Sequence, residues 1–92
     1  MARLVNIGFG NLVNADKVLA VVSPDAAPVK RMVSRAREDG TLIDATQGRR
    51  TKAVLVLDEG SILLSALQTD TVFRRFHAGI QTMEERDEAE DE

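Results

Sequence analysis

The chain contains no cysteine, no tryptophan, no tyrosine and only three phenylalanines. Without cysteine there is no disulfide framework, no thiolate metal site and no thiol nucleophile. The scarcity of rings argues against recognition of unpaired bases, which relies on aromatic platforms for stacking. No apolar run approaches a membrane span of about 18 residues. Met1 to Asn6 carries one charge and no apolar core, so a secretory signal is not expected. The single histidine, His77, has no acid beside it at a useful spacing, and no set of residues gathers as metal ligands. The serines lack the turn context of an activated nucleophile. These absences point away from an enzyme, a bound cofactor, a small-molecule substrate or a membrane. They leave a soluble, bacterial-type cytoplasmic protein as the expectation.

What is present is unevenly distributed. Ninety-two residues make one small domain with a formal charge of −3. Residues 83–92, Met-Glu-Glu-Arg-Asp-Glu-Ala-Glu-Asp-Glu, hold seven acids and one base, leaving eight acids and eleven bases in residues 1–82. The domain is thus expected over 1–82. The 83–92 block is too acidic and too poor in apolar residues to fold, and reads as a disordered tail. The body is basic, and the tail conceals it.

The most telling stretch of that body is Ala45-Thr46-Gln47-Gly48-Arg49-Arg50-Thr51-Lys52, with three cations in four residues. It reads as a tight turn between two apolar strands, where a small rigid scaffold tends to display its binding chemistry. Two adjacent arginines offer always-charged planar forks that suit phosphate. Around this turn the pattern predicts short elements. Leu4 to Phe9 alternates as a strand, Gly10-Asn11 turns, and Val18 to Val22 is a second, more buried strand. A helix follows, capped by Ser23 or Asp25; Pro28 fits best in its first turn, which favours Asp25. Val29, Met32, Val33 and Ala36 share its apolar face, Lys30, Arg31, Arg35 and Arg37 lie opposite, and Gly40 stops it. Strands are then expected over Thr41 to Thr46, Ala53 to Leu57 and, after an Asp58-Glu59-Gly60 hairpin turn, Ser61 to Leu67. Thr69 or Asp70 caps a closing helix with Val72, Phe73 and Phe76 on one face and Gly79 at its end. This order implies an α+β domain with a mostly antiparallel sheet.

Several segments together carry a family resemblance. Asn6-Ile7-Gly8-Phe9-Gly10-Asn11, Val22-Ser23-Pro24-Asp25-Ala26-Ala27-Pro28-Val29-Lys30-Arg31, Leu42-Ile43-Asp44-Ala45-Thr46 and Gly48-Arg49-Arg50-Thr51 resemble the RemA family, bacterial extracellular matrix regulatory proteins, in order and spacing from about Leu4 to Val72. The resemblance implies a DNA-binding transcriptional regulator, nucleoid-associated, that assembles into homo-oligomeric rings from subunits of a LytTR-like type. It also implies that Lys17, Arg49 and Arg50 contact double-stranded DNA. Lys17 stands where better-known members have arginine, which keeps the charge and loses the bidentate fork. Gln47 stands in place of tyrosine, removing a ring beside the arginine pair, and the acidic tail is not part of the family pattern.

Other features read more plainly. Gly8-Phe9-Gly10 lacks the third glycine of a phosphate loop and reads as a turn or close-packing element. Asp44 reads as a hydrogen-bonding partner rather than a catalytic acid, with a basic residue of a neighbouring subunit as one candidate for the other half of the bond. His77 near a helix end suits the dipole and carries no chemistry. The alternative to a DNA-binding regulator is a ring-forming scaffold or protein-interaction module that makes no use of the arginines. A tail that mimics nucleic acid would compete for the basic body. On that reading, truncation after Thr82 tightens duplex binding in a fluorescence-anisotropy titration, most strongly at low salt where screening is least. Equal affinity with and without the tail would mark it as a solubility extension only.

Overall fold

Two apolar runs in the second half of the chain, residues 53–57 and 62–65, need cover on both faces of any sheet that holds them. The fold supplies that cover from the rest of the chain. The computed structural model of the protein describes residues 3–77; Gly79 and the acidic 83–92 block lie outside that range. The elements are β1 (Leu4–Asn6), β2 (Leu12–Asn14), a single 3-10 turn (Ala15–Lys17), β3 (Val18–Val22), α1 (Ala27–Asp39), β4 (Leu42–Asp44), β5 (Ala53–Leu57), β6 (Ile62–Ser65) and α2 (Thr69–His77). β1 and β2 form a separate antiparallel hairpin, and the other strands form a sheet in the order β3-β5-β6-β4. β5 runs antiparallel to β3 and β6, whereas β4 lies parallel to β6.

Strand alternation sorts the core into two layers. Val54, Ile62 and Leu64 face α1, where Val29 and Ala36 pack against them with Met32 and Val33 at the margin. Ala53, Leu55 and Leu63 face the other way, toward Ile7 of the hairpin, Leu67 and Val72 of α2. Two arginines lock α2 to the hairpin. Arg3 donates through Nη1 to the Phe76 carbonyl at 2.8 Å, and Arg75 through Nη1 to the Asn6 carbonyl at 2.9 Å. No helix among the described residues is long and apolar enough to cross a membrane.

The α+β class and the mostly antiparallel pairing match the sequence expectation, as do the apolar face of α1 and its end at Gly40, which takes φ 79°. Other details differ. The first strand stops at Asn6, and Leu12–Asn14 forms an unanticipated partner for it. β3 is a sheet edge rather than a buried strand, because only β5 flanks it, and Leu19 stands 69 % exposed at a register irregularity. Ala26, not Asp25, precedes α1 and makes no side-chain cap. Ser23 Oγ instead accepts from the Asp25 N–H at 3.2 Å, so the Ser-Pro-Asp segment forms its own local turn. Pro28 does fall within the first turn of α1. Neither Thr69 nor Asp70 precedes α2: its first bond runs from the Val72 N–H to the Gln68 carbonyl. Phe73 leaves the apolar face of α2 and is exposed, its ring lying against His77 one turn on, with centroids 4.2 Å apart.

Ser65 joins the two layers. It is fully buried, and its hydroxyl donates to the Ile7 carbonyl at 2.8 Å while accepting from the Leu67 N–H at 3.1 Å. Ser65→Ala strands both backbone groups away from water. Urea denaturation is expected to show a loss of about 1–3 kcal/mol with little change in m-value.

Candidate nucleic-acid interface

The basic segment 45–52 joins β4 to β5, but β6 lies between those two strands. It is therefore not a simple hairpin turn between neighbours. It must cross the end of β6, and β6 holds it at both ends. The Ala45 N–H donates to the Leu64 carbonyl at 3.0 Å and the Lys52 N–H to the Ser65 carbonyl at 2.9 Å. Between these anchors Thr46-Gln47-Gly48-Arg49 closes a four-residue turn, the Arg49 N–H donating to the Thr46 carbonyl at 2.9 Å. Gln47 and Gly48 take φ 55° and 80°, and positive values at both central residues mark a type I′ turn.

A second turn of the same kind lies beside it. Gly8-Phe9-Gly10-Asn11 connects β1 to β2, with φ 55° at Phe9 and 77° at Gly10, and the Asn11 N–H donates to the Gly8 carbonyl at 3.0 Å. The expected turn role of this segment is therefore met, and the packing is close, since a Cβ on Gly8 would lie 3.4 Å from Leu67 Cγ. Asn11 Nδ2 reaches the Ala45 carbonyl at 3.4 Å and so links the two turns. The Arg49 guanidinium carbon sits 5.5 Å from the Phe9 ring centroid, within cation–π range and worth about 0.5–1 kcal/mol at an exposed site. An aromatic ring beside Arg49 thus comes from the hairpin. Sequence spacing could not reveal this, because Phe9 and Arg49 meet only through the fold.

Asp44 fixes the start of the arginine turn. Its Oδ1 accepts from Thr46 Oγ1 at 2.6 Å and from the Thr46 N–H at 2.9 Å. The hydroxyl bond, then the backbone bond, hold the carboxyl below its ordinary value; slight burial opposes them and the Arg37 charge adds a smaller push downward. The hydrogen-bonding role expected of Asp44 is fulfilled within its own chain.

Arg49 and Arg50 are both exposed at this tip, whereas Lys17 lies elsewhere. Lys17 ends the 3-10 turn before β3, and β3 pairs with β5 so that Val18 faces Leu57 and Val22 faces Val54. Lys17 therefore sits at the far end of β5 from the arginines. That five-residue strand alone spans about 15 Å. Lys17 Nζ lies 3.8 Å from Asp58 Oδ2 in an exposed ion pair. One subunit brings Arg49 and Arg50 together and keeps Lys17 apart.

The Asp44 contacts predict acid sensitivity. The bonded form is the carboxylate, so its stabilisation is full above the unfolded carboxyl pKa of about 3.9. It is lost as pH falls from there through the lower folded value. Asp44→Ala is expected to lower stability by about 1 kcal/mol at pH 7, through the unpaired Thr46 N–H. Its deficit relative to wild type should shrink in urea melts as the pH is taken down through the lowered folded value, where wild type progressively loses the same contact.

The tip belongs to a segment that known proteins share. Residues 4–76 match the family model described as RemA-like, extracellular matrix regulatory protein A-like. A protein of Symbiobacterium thermophilum named "Putative regulatory protein" is 53 % identical over 90 residues, covering 98 % of this chain and 95 % of that one. One of the same name from Synechococcus sp. strain JA-2-3B'a(2-13) is 61 % identical over 74 residues, 80 % of this chain and 83 % of its own. Another, from Caldicellulosiruptor saccharolyticus, is 51 % identical over 90 residues, 98 % of this chain and 89 % of its own. With the matched region running from the first strand into the last helix, the chain belongs to the RemA-like family.

Proposed function

We propose that this member of a regulatory family acts by binding double-stranded DNA as a homo-oligomeric ring, working at the nucleoid in the cytoplasm without catalysis. The observation that carries the reading is the tip itself: two exposed arginines on a turn anchored at both ends to the buried strand β6. Among the described residues neither arginine makes an ion pair with an acid, so both guanidinium groups remain available to phosphate.

One subunit would neutralise only two or three phosphates, which gives weak and salt-sensitive binding. Repetition changes that, because contacts after the first form at high effective concentration. The surface has material for such repetition. Leu4 and Leu12 are 59 % and 58 % exposed on the hairpin, Leu19 is 69 % exposed on the β3 edge, and Ile43 is 46 % exposed on β4 at the opposite edge. Two different apolar edges suit a head-to-tail contact, which closes into a ring when the rotation permits. A ring presenting the tip at regular intervals would hold DNA on a curved path. Smooth bending of 20–30 base pairs costs about 1–6 kcal/mol, so flexible sequence is favoured without base contacts. Transcription would change through that reshaping of promoter DNA.

Combining Arg49→Ala with Arg50→Ala is expected to weaken duplex binding at least tenfold at low salt while light scattering returns the wild-type mass. Unchanged affinity and salt slope in the double variant would refute the site. No duplex binding by wild type at about 50 mM salt would leave the scaffold as the better account of the exposed apolar edges.

A further inference from the structure

The two adjacent arginines border different surroundings. Arg49 leans over Phe9 on the hairpin side, while Arg50 lines a cleft on the other side, toward the starts of both helices. The cleft has a volume of about 300 Å³ and is walled by Arg50, Thr51 and Lys52 from the basic segment, Ser23 and Asp25 before α1, and Thr69 at the start of α2. Its lining is mainly polar. Two cations face one acid, and among the described residues neither Arg50 nor Lys52 is engaged in an ion pair.

We infer that this cleft is a phosphate-binding site, taking one phosphate group between Arg50 and Lys52, from either a duplex backbone or a free nucleotide. Each wall contributes a distinct part. Lys52 is half-buried, its backbone is pinned to Ser65, and it lines the cleft with a flexible ammonium-bearing side chain. Arg50 adds a planar fork to the lining. Ser23 Oγ already accepts from the Asp25 N–H, which leaves its O–H free to donate. Thr51 and Thr69 each bring a further hydroxyl. A phosphate has enough oxygens to use two cations and several hydroxyl donors at once, whereas a planar carboxylate has only two. The volume lies at the small end for ligand sites, which suits a phosphate with its attached sugar better than a larger molecule. Asp25 leaves one excess positive charge in the cleft, enough to select an anion without closing the site with an internal salt bridge.

The duplex source rests on the DNA-binding reading, and the nucleotide source does not. In the nucleotide case the occupant would compete with DNA for Arg50, making the cleft an effector site. The test uses the full-length protein and two variants, Lys52→Gln and Ser23→Ala, with circular dichroism to check that each is folded. Ser23 is exposed, so its variant remains informative if Lys52→Gln does not fold. Duplex binding is followed by anisotropy across a salt series. Pyrophosphate and ADP are titrated calorimetrically and then used as competitors at constant ionic strength.

If a backbone phosphate occupies the cleft, Lys52→Gln lowers the salt slope by about one unit for each subunit engaged. Ser23→Ala then weakens duplex binding about threefold to tenfold. If a free phosphate is the occupant, pyrophosphate or ADP binds wild type, loses at least tenfold in Lys52→Gln, and displaces the duplex. Variants that bind duplex, pyrophosphate and ADP as wild type does overturn the inference while leaving DNA binding through Arg49 intact. Pyrophosphate binding that depends on Lys52, with no duplex binding at all, supports the cleft and refutes the DNA reading. Absence of binding to every probe overturns both.

Discussion

Two consecutive residues at the end of β6 hold the basic end of the molecule together. The Leu64 carbonyl takes the start of the basic segment and the Ser65 carbonyl takes its finish, while the Ser65 hydroxyl reaches across to Ile7 at the base of the hairpin. Because β6 is buried along its whole length, these bonds form away from water, where an unmade one is costly. The basic loop, the hairpin and the strand are therefore tied directly to one another. Ordering a charged loop normally opposes binding, and a loop already held at both ends has less freedom left to lose.

That anchoring also makes sense of the backbone at the tip. Phe9 and Gln47 both take φ 55°, a conformation that costs a residue with a Cβ roughly 1–2 kcal/mol. Two such residues in adjacent turns persist only where the surroundings over-determine them. Here the surroundings are the Asp44 carboxylate on Thr46, the Asn11 side chain on Ala45, and the Arg49 guanidinium over Phe9. Beside these turns, Arg49 lies over Phe9 while Arg50 borders the cleft before the two helices.

How legible this was in the sequence depended on the range of the interaction. The face of α1 follows a 3.6-residue period, and its end follows from Gly40, so both could be read locally. β5 and β6 could be read as apolar runs. The edge position of β3 could not, because Val18 to Val22 reads the same whether covered by protein or left for a partner. β2 has only three residues, two polar ones close by, and no run to announce it. The arginine turn was legible as a turn because Gln-Gly supplies its chemistry, but not the crossing of β6, which depends on β4 pairing in parallel at the far edge. Phe9 beneath Arg49 and the cleft beside Arg50 arise only once segments distant in sequence meet.

On the proposed DNA-binding reading, the separation of Lys17 from the arginines constrains how a duplex would lie. With the strand between them spanning about 15 Å, one subunit could touch both sites only if the duplex lay along the β3–β5 direction. The gap is then comparable to a major groove about 12 Å wide once the side chains' own reach is allowed for. Lys17 would have to exchange Asp58 for a phosphate, a small barrier, since an exposed pair is worth only about 0–1 kcal/mol. A duplex running across the tip instead would meet Arg49 and Arg50 of one subunit and need its third cation from the next. In that arrangement the contact set is complete only in the assembly, and losing the oligomer would cost binding even with every arginine in place. The two geometries would give the exposed apolar edges different roles: added affinity in the first, and completion of the site in the second.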